Sequence, residues 1–165
     1  MNPHSLLEEA LNQLLHLSCW AVMVNDEFAS GLTLYLGDQL ARSIPLDVPD
    51  LPTSLQLYSG AFELVIADCT WRLDSQDAIL TSWSDPAILQ AEALAQIEGI
   101  NVQYWEITWP GLDLTLHFEN ALALRLFCDQ TDEMDAGDNY ALLSPSHLFH
   151  VGTRSHLTVA PRPKI

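Results

Sequence analysis

The residues of this chain best equipped for chemistry are carboxylates, which crowd into one segment near residue 130. Its acidic side chains are Asp129, Asp132, Glu133, Asp135 and Asp138. Calcium sites draw several carboxylate and carbonyl oxygens from one short loop, usually with a glycine at a sharp turn. Gly137 supplies the glycine, but the D-x-D-x-D-G order of an EF-hand loop is absent and no glutamate closes the loop at the required distance. The segment therefore predicts a solvated acidic loop rather than a metal site.

Histidines near the C-terminus form the second group that could hold a metal. His147, His150 and His156 lie close together in the sequence, and three imidazoles can bind a catalytic zinc ion. The HxH and HExxH spacings are absent, and on a straight strand His147 and His150 would point to opposite faces. We therefore expect no metal centre and no cofactor.

The candidate nucleophiles lie in apolar surroundings. Cys19, Cys69 and Cys128 are odd in number, widely spaced and associated with apolar runs, which predicts buried free thiols. Neither the G-x-S-x-G nucleophile elbow nor a glycine-rich phosphate-binding loop occurs in the chain. These patterns favour a protein that is not an enzyme, and an enzyme with an unrecognised site is kept as an alternative.

Net charge separates the classes of partner. The 165 residues include 22 acidic and 6 basic side chains, which gives −16 at pH 7. Binding to DNA, RNA or anionic membrane depends largely on Lys and Arg contacts with phosphate, so we expect none of these partners. A negative field attracts basic proteins and speeds their encounter. The first residues lack a basic side chain and no apolar run reaches ~18 residues, which predicts a cytoplasmic protein.

Aromatic residues near the acids could anchor a protein partner, since Trp and Tyr are enriched at interface hot spots. Trp71 and Trp83 fall in predicted paired strands, where core packing accounts for them. Trp109 falls at a turn and is the tryptophan for which exposure is most expected. The candidate partner-binding residues are therefore Trp109, Asp129, Asp132, Glu133, Asp135 and Asp138.

The clearest structural signal is the stretch from Gly111 to Cys128. Apolar and polar residues alternate over 112–118 and again over 122–126, on either side of Glu119-Asn120. Alternation at period two buries one face of a strand. Two such runs around a short polar break predict a β-hairpin.

Two amphipathic helices are predicted. The first runs from about Asn2 to Leu17 and begins with a capping box formed by Ser5 and Glu8. The second has Asp85 as its N-cap, Pro86 in its first turn and Gly99 near its end. The apolar stripe of this second helix consists of Ile88, Leu89, Ala93, Leu94 and Ile97.

Strands account for most of the remaining chain. A hairpin is predicted to join Leu55–Leu57 to Phe62–Ala67 through a turn at Ser59-Gly60, and Gly37-Asp38 is predicted to be another turn. The proline-rich segment 45–53 is the candidate linker. Other predicted strands are Trp20–Val24, Leu32–Leu36, Thr70–Leu73, Ala78–Trp83, Ile100–Thr108, Asn139–Leu143, Ser146–Val151 and His156–Val159.

Internal similarity suggests a duplication. Residues 55–69 align with 114–128, and residues 32–38 align with 114–120. The alternative is a chance likeness between amphipathic strands. The chain is predicted to form a single domain, residues 1–165, that could contain two α-β-β half-repeats at about 1–83 and 84–160.

One resemblance rests on the hairpin and the strand after it. The pattern of 111–127 followed by Asp138-Asn-Tyr-Ala-Leu142 resembles small bacterial domains of unknown function, in which an L-x-L-x-F-turn-L-x-L hairpin precedes a D-x-W/Y-x-L strand. Some of those domains are similar to immunity proteins that neutralise polymorphic toxins. The resemblance implies an inhibitor rather than an enzyme, and it carries over no individual functional residue.

Together these patterns predict an α+β protein, with two amphipathic helices packed on a mainly antiparallel, internally repeated sheet. The expected function is non-catalytic binding of a basic protein partner, in its most concrete form an acidic immunity-type inhibitor. A structural homodimer with sheet edges paired across a two-fold axis is the main alternative.

Overall fold

Two antiparallel β-sheets and a few short helices make up the computed structural model, which describes residues 1–24, 31–131 and 137–165. Its helices are α1 (Pro3–Gln13), α2 (Thr53–Leu57) and α3 (Ala87–Leu94), with a 3-10 turn at Ala95–Ile97. Its strands are β1 (Cys19–Val24), β2 (Leu32–Ala41), β3 (Tyr58–Ile66), β4 (Thr70–Asp74), β5 (Ile79–Ser82), β6 (Val102–Thr108), β7 (Asp113–Phe118), β8 (Ala123–Phe127), β9 (Tyr140–Leu143), β10 (His147–Val151) and β11 (Leu157–Pro161). The predicted α+β class is confirmed.

Each sheet combines strands from both halves of the chain. The six-stranded sheet has the order β1-β2-β3-β9-β10-β11, and the five-stranded sheet has the order β5-β4-β8-β7-β6. A helix precedes each three-strand meander: α1 comes before β1-β2-β3, and α3 comes before β6-β7-β8. The strands that follow each meander then join the other sheet, so neither sheet is built from one half of the chain.

The two meanders also share a pairing register. Ala21 faces Tyr35 in the first meander, and Tyr104 faces His117 in the second. A bulge interrupts both pairings immediately before this contact. The aligned segments 32–38 and 114–120 therefore fall largely on β2 and β7, each of which is the middle strand of its meander.

The longer alignment, of 55–69 with 114–128, joins segments of different local structure. The first segment contains the end of α2 and the single strand β3, whereas the second contains most of the β7–β8 hairpin. The duplication therefore stays a prediction.

The hairpin predicted over 111–128 is confirmed as β7 and β8, and its inner face forms part of the core. Leu114, Leu116 and Leu124 have no exposed surface. They belong to the same hydrophobic cluster as Leu34 and Leu64 of the six-stranded sheet. Burying each such side chain contributes about 1.5–3 kcal/mol, so contact between these leucine faces is the main force that holds the two sheets together.

The first helix begins where it was predicted to begin, but it ends earlier and has a different cap. Its N-cap is Asn2, whose Oδ1 accepts a hydrogen bond from the Ser5 amide at 2.8 Å. The predicted capping box of Ser5 and Glu8 is therefore wrong, because Asn2 followed by Pro3 supplies a cap one turn earlier. The helix ends at Gln13, and His16 has a φ of 68° that no α-helix accommodates.

The second helix also differs from its prediction. Its N-cap is Pro86, one residue later than predicted. The carboxylate of Asp85 instead accepts hydrogen bonds from Thr81 Oγ1 and the Ser82 amide, both at 2.9 Å. Ile88 is 77% exposed, so the predicted apolar stripe faces the core only toward its C-terminal end.

The turns predicted at Ser59-Gly60 and at Gly37-Asp38 are absent from the described chain, because a strand runs through each of them. β3 continues through Ser59-Gly60 without turning. Residues 55–57, predicted to be the strand before that turn, belong to α2 instead. The amides of Leu55 and Gln56 bond the Pro52 carbonyl and close a helical turn there. Gly37 lies inside β2 with a φ of +76°, where the glycine forms a bulge rather than a hairpin turn.

Candidate functional site

Four segments meet at one end of the molecule, which we call the loop end: 109–111, 128–131, 137–139 and 152–155. Gln130, in segment 128–131, forms hydrogen bonds to two of the other segments. Its Nε2 donates to the Gly111 carbonyl at 3.0 Å, and its Oε1 accepts from the Arg154 amide at 2.6 Å. Ser155 Oγ donates to the Pro110 carbonyl. Segments distant in sequence are thereby held beside one another.

Asp129 and Asp138 are positioned by this network. The Asp129 amide donates to Asn139 Oδ1 at 2.7 Å, and Asn139 Nδ2 returns a bond to the Asp129 carbonyl at 3.0 Å. Because Asn139 is buried, this pair anchors the base of the acidic segment. The Asp138 carboxylate pairs with His150 Nδ1 at 2.5 Å.

The Asp129 carboxylate itself faces solvent. Its Oδ1 accepts from the Thr131 hydroxyl at 2.6 Å and from the Thr131 amide at 2.8 Å. These two bonds stabilise the ionised form and lower the pKa of Asp129 below its ordinary value. Asp129 therefore presents a fixed negative charge at the loop end at neutral pH.

Trp109 is 40% exposed and borders this end. Its ring lies 4.9 Å from the ring of His4 at the start of α1. Trp83, expected in the core, is equally exposed at 41%, whereas Trp71 is buried as expected. The structure thus places Trp109, Asp129 and Asp138 on segments that meet at the loop end. Three further candidates, Asp132, Glu133 and Asp135, lie outside the described residues.

The cysteines lie in apolar surroundings. Cys19 and Cys69 are buried as predicted, and Cys128 is half-buried. Burial raises the pKa of the Cys19 and Cys69 thiols to about 12. Burial also raises the pKa of Cys128, with a smaller contribution from nearby Cys69. Nucleophilic catalysis needs a thiolate, so these thiols are unsuited to it near pH 7.

We expect the native protein at pH 8 to react with iodoacetamide far more slowly than the urea-unfolded protein, as measured by mass spectrometry. The unfolded thiols ionise near their ordinary pKa of 9.0, whereas folded Cys19 and Cys69 ionise near 12. Because the thiols lose their protons at lower pH in the unfolded protein than in the folded protein, the free energy of unfolding should fall as the pH rises from 9 towards 12. Equal labelling of native and unfolded protein would contradict the burial of these thiols.

A second cluster, which the sequence patterns did not reveal, lies on the outer face of the five-stranded sheet. Arg72 on β4 pairs directly with Arg125 on β8. Both guanidinium groups contact the carboxylate of Asp74, the Arg72 Nε at 3.0 Å and the Arg125 Nε at 2.8 Å. The Arg72 guanidinium also lies over the ring of Phe127, 5.2 Å from its centre. We call Arg72 and Arg125 the arginine pair.

Aromatic and polar side chains flank the arginine pair along the same face. The ring of Tyr104 stacks on that of His117, with centres 3.9 Å apart and planes within 10°. His117 Nε2 lies 2.6 Å from a carboxylate oxygen of Glu106. Arg125, Tyr104 and His117 line a cleft of about 330 Å³ together with Ser75, Gln76, Gln103, Phe118, Ala121, Leu122 and Ala123.

Period-two alternation already put His117 and Arg125 on the polar face of the predicted hairpin. The missing information was the pairing of β4 with β8, which brings Arg72 and Asp74 to Arg125 from about 50 residues away in the sequence. Such pairing is set by tertiary packing and leaves no local pattern.

The C-terminal histidines do not converge on a metal. His150 bonds Asp138, and His147 Nδ1 lies 2.8 Å from Ser146 Oγ. Across residues 1–24, 31–131 and 137–165, no group of three or more His, Cys, Asp or Glu side chains is arranged to hold a metal ion. In the same ranges, every helix is too short or too polar to cross a membrane.

Comparison with known proteins gives no assignment: no protein-family model, curated protein or solved structure matches the chain.

Proposed function

We propose that the protein binds a basic protein partner through the loop end and does not catalyse a reaction. The observation that carries this proposal is a set of hydrogen bonds that joins the separate segments bearing exposed Trp109 and the carboxylates of Asp129 and Asp138 at the loop end. An aromatic anchor bordered by fixed charges is typical of interface hot spots.

The backbone of the loop end supports binding without large rearrangement. Arg154 and Ser155 have φ values of 52° and 61°, a left-handed conformation that costs of order 1 kcal/mol for such residues. Hydrogen bonds to Gln130 and Pro110 hold them there. A preorganised surface loses less conformational entropy on binding. A backbone that hydrogen bonds already hold in one conformation therefore suits a recognition surface.

Charge favours a basic partner. The net charge of −16 attracts positively charged proteins over long distances and speeds encounter. The resemblance of 111–127 and 138–142 to immunity-like domains supports one concrete form of the proposal, an inhibitor of a basic toxin in the cytoplasm. Rapid capture by electrostatic steering is what such an inhibitor requires.

The matched registers of the two meanders support a further part of the proposal. Two α-β-β half-repeats, about 1–83 and 84–160, would each contribute a helix and a meander to one domain. The strands after each meander would have exchanged between the two sheets.

A capture experiment with matched variants tests the function. The tagged wild-type protein, the double variant Trp109→Ala/Asp129→Asn and the control Trp83→Ala/Asp77→Asn are each incubated with lysate of the host organism. The control removes an equally exposed tryptophan and one exposed carboxylate that lie outside the four segments of the loop end. Asn at 129 keeps an oxygen that can accept from Thr131.

We expect wild type and control to capture the same basic protein at low salt, and the loop-end variant to capture at least tenfold less. An anchor residue contributes about 2 kcal/mol or more to binding, which corresponds to a factor of thirty or so. High salt should weaken capture by screening the charges. Equal losses in both variants would contradict binding at the loop end. Light scattering that finds a dimer, with no basic protein captured, would favour the homodimer instead.

A further inference from the structure

We propose that the cleft beside the arginine pair binds a small organic anion, in which a carboxylate or phosphate group is attached to a flat ring. Arg125 would bind the anionic group, and Tyr104 would pack against the ring. This site lies on the outer face of the five-stranded sheet and does not depend on the loop end.

The first step is the charge of the cluster. Arg72 and Arg125 share the single carboxylate of Asp74, so two positive charges against one negative charge leave a net +1. The chain has 6 basic side chains in all, and two of them are adjacent here. Arg72, Asp74 and Arg125 together are thus positive in a protein of net charge −16, and the Glu106 carboxylate lies beside His117 on the same face.

The second step is the hydrogen-bonding capacity that remains. In the described chain, both guanidinium groups bond Asp74 through Nε, and their terminal nitrogens have no protein acceptor. A guanidinium offers a rigid fork of donors that matches carboxylate and phosphate oxygens in bidentate geometry. Arg125, which lines the cleft, therefore has donors available for an anionic ligand.

The third step is that the sheet architecture does not require this arginine pair. At the matched register of the six-stranded sheet, Val65 pairs with Thr33 and with Ala141. In the five-stranded sheet, Arg125 pairs with Thr115 and with Arg72. Aliphatic side chains thus fill the equivalent positions of a sheet with the same local pairing. Two adjacent like charges are unfavourable in a sheet, and the Asp74 carboxylate compensates only one of them.

The fourth step is the shape of the cleft. Its volume of about 330 Å³ falls in the lower part of the range for small-molecule sites. Tyr104 is 47% exposed although one face of its ring stacks on His117. Tyr104 also lines the cleft, so its exposed surface can pack against a flat ring there. Gln76, Gln103 and Ser75 add amide and hydroxyl groups at the border.

Isothermal titration of the full chain tests the proposal with two anionic probes, benzoate and adenosine 5′-monophosphate, and with uncharged adenosine. We expect at least one anion to bind with a dissociation constant below about 1 mM, an affinity of roughly 4 kcal/mol. Adenosine should bind at least tenfold more weakly than its monophosphate. The absence of binding by both anions, or measurable binding of adenosine that is as tight as that of its monophosphate, would overturn the proposal.

Three variants locate the binding. Arg125→Gln should weaken anion binding at least tenfold, because it removes the charged donors that would bind the anionic group. Tyr104→Ala should weaken it at least fivefold and leaves every charge in place. Lys164→Gln removes one positive charge from an exposed position in the tail and should leave affinity unchanged. A native thermal unfolding transition for each variant excludes misfolding as the cause. Binding that Arg125→Gln and Tyr104→Ala both leave intact would place the ligand elsewhere.

Discussion

Replacing Leu124 by alanine is expected to lower the free energy of unfolding by about 2–5 kcal/mol, the range for Leu→Ala in well-packed cores. Leu124 has no exposed surface and lies on β8, between Leu73 of β4 and Leu116 of β7. Removing its side chain leaves a cavity where the two sheets meet, and rigid neighbouring strands can fill little of it. Urea unfolding followed by tryptophan fluorescence measures the loss.

Thr115→Ala is the matched control for that experiment. Thr115 lies on the same hairpin, but its side chain is on the outer face and is only half-buried. We expect a loss below about 1 kcal/mol, the span of strand propensities. Similar losses at Leu124 and Thr115 would show that the inner face of the hairpin is not the tightly packed core described above.

Arg162→Met is expected to lower the free energy of unfolding by about 2–4 kcal/mol, because it leaves several buried acceptors unpaired. The Arg162 guanidinium donates to the carbonyls of Ala61, Ser144 and Gly60, the last at 2.8 Å. Burial lowers the pKa of Arg162, and the nearby charge of Glu63 opposes that shift. The side chain therefore fastens the C-terminal segment to β3 and to the turn before β10.

Lys164→Met is the control for the arginine, since it removes a positive charge two residues away from an exposed side chain. We expect it to change stability by less than about 0.5 kcal/mol, as is usual for surface positions. The same urea titration compares both variants. If the arginine variant were as stable as the lysine variant, the hydrogen bonds of Arg162 would add nothing to the fold.

The two proposed sites differ in the kind of partner they favour. The loop end combines exposed Trp109 with the fixed charge of Asp129 and suits a basic protein surface. The cleft beside Arg125 suits a small anion, which the overall negative charge of the protein would otherwise repel. Because the sites lie on different parts of the molecule, the capture experiment and the titration can succeed or fail independently.

Local sequence patterns were sufficient for elements whose structure depends on near neighbours. The hairpin over 111–128 was predictable because alternation at period two reports directly on which side chains face the core. Burial of Cys19 and Cys69 followed from their apolar surroundings, and the exposure of Trp109 followed from its place at a turn. In each case the physical cause lies in a few residues that are adjacent in the sequence.

Local patterns misled where two structures were compatible with the same residues. Gly37 is suitable for a turn or for a bulge, and only pairing with β1 and β3 decided for a bulge. Segment 55–57 alternates like a strand but forms a helical turn on the Pro52 carbonyl. Asn2 and Ser5 could each have capped α1, and Asn2 is the cap because Pro3 follows it and its Oδ1 accepts from the Ser5 amide.

The sequence by itself determined the α+β class, the buried face of the central hairpin and the strongly negative charge, because these depend on periodicity and composition. Only the tertiary structure decided that strands from both halves share each sheet, which brings Arg72 to Arg125 and gathers Trp109, Asp129 and Asp138 at one end. The physical reason is that strand order and register between distant segments are set by the fit of whole hydrophobic faces. No local pattern of residues encodes that fit.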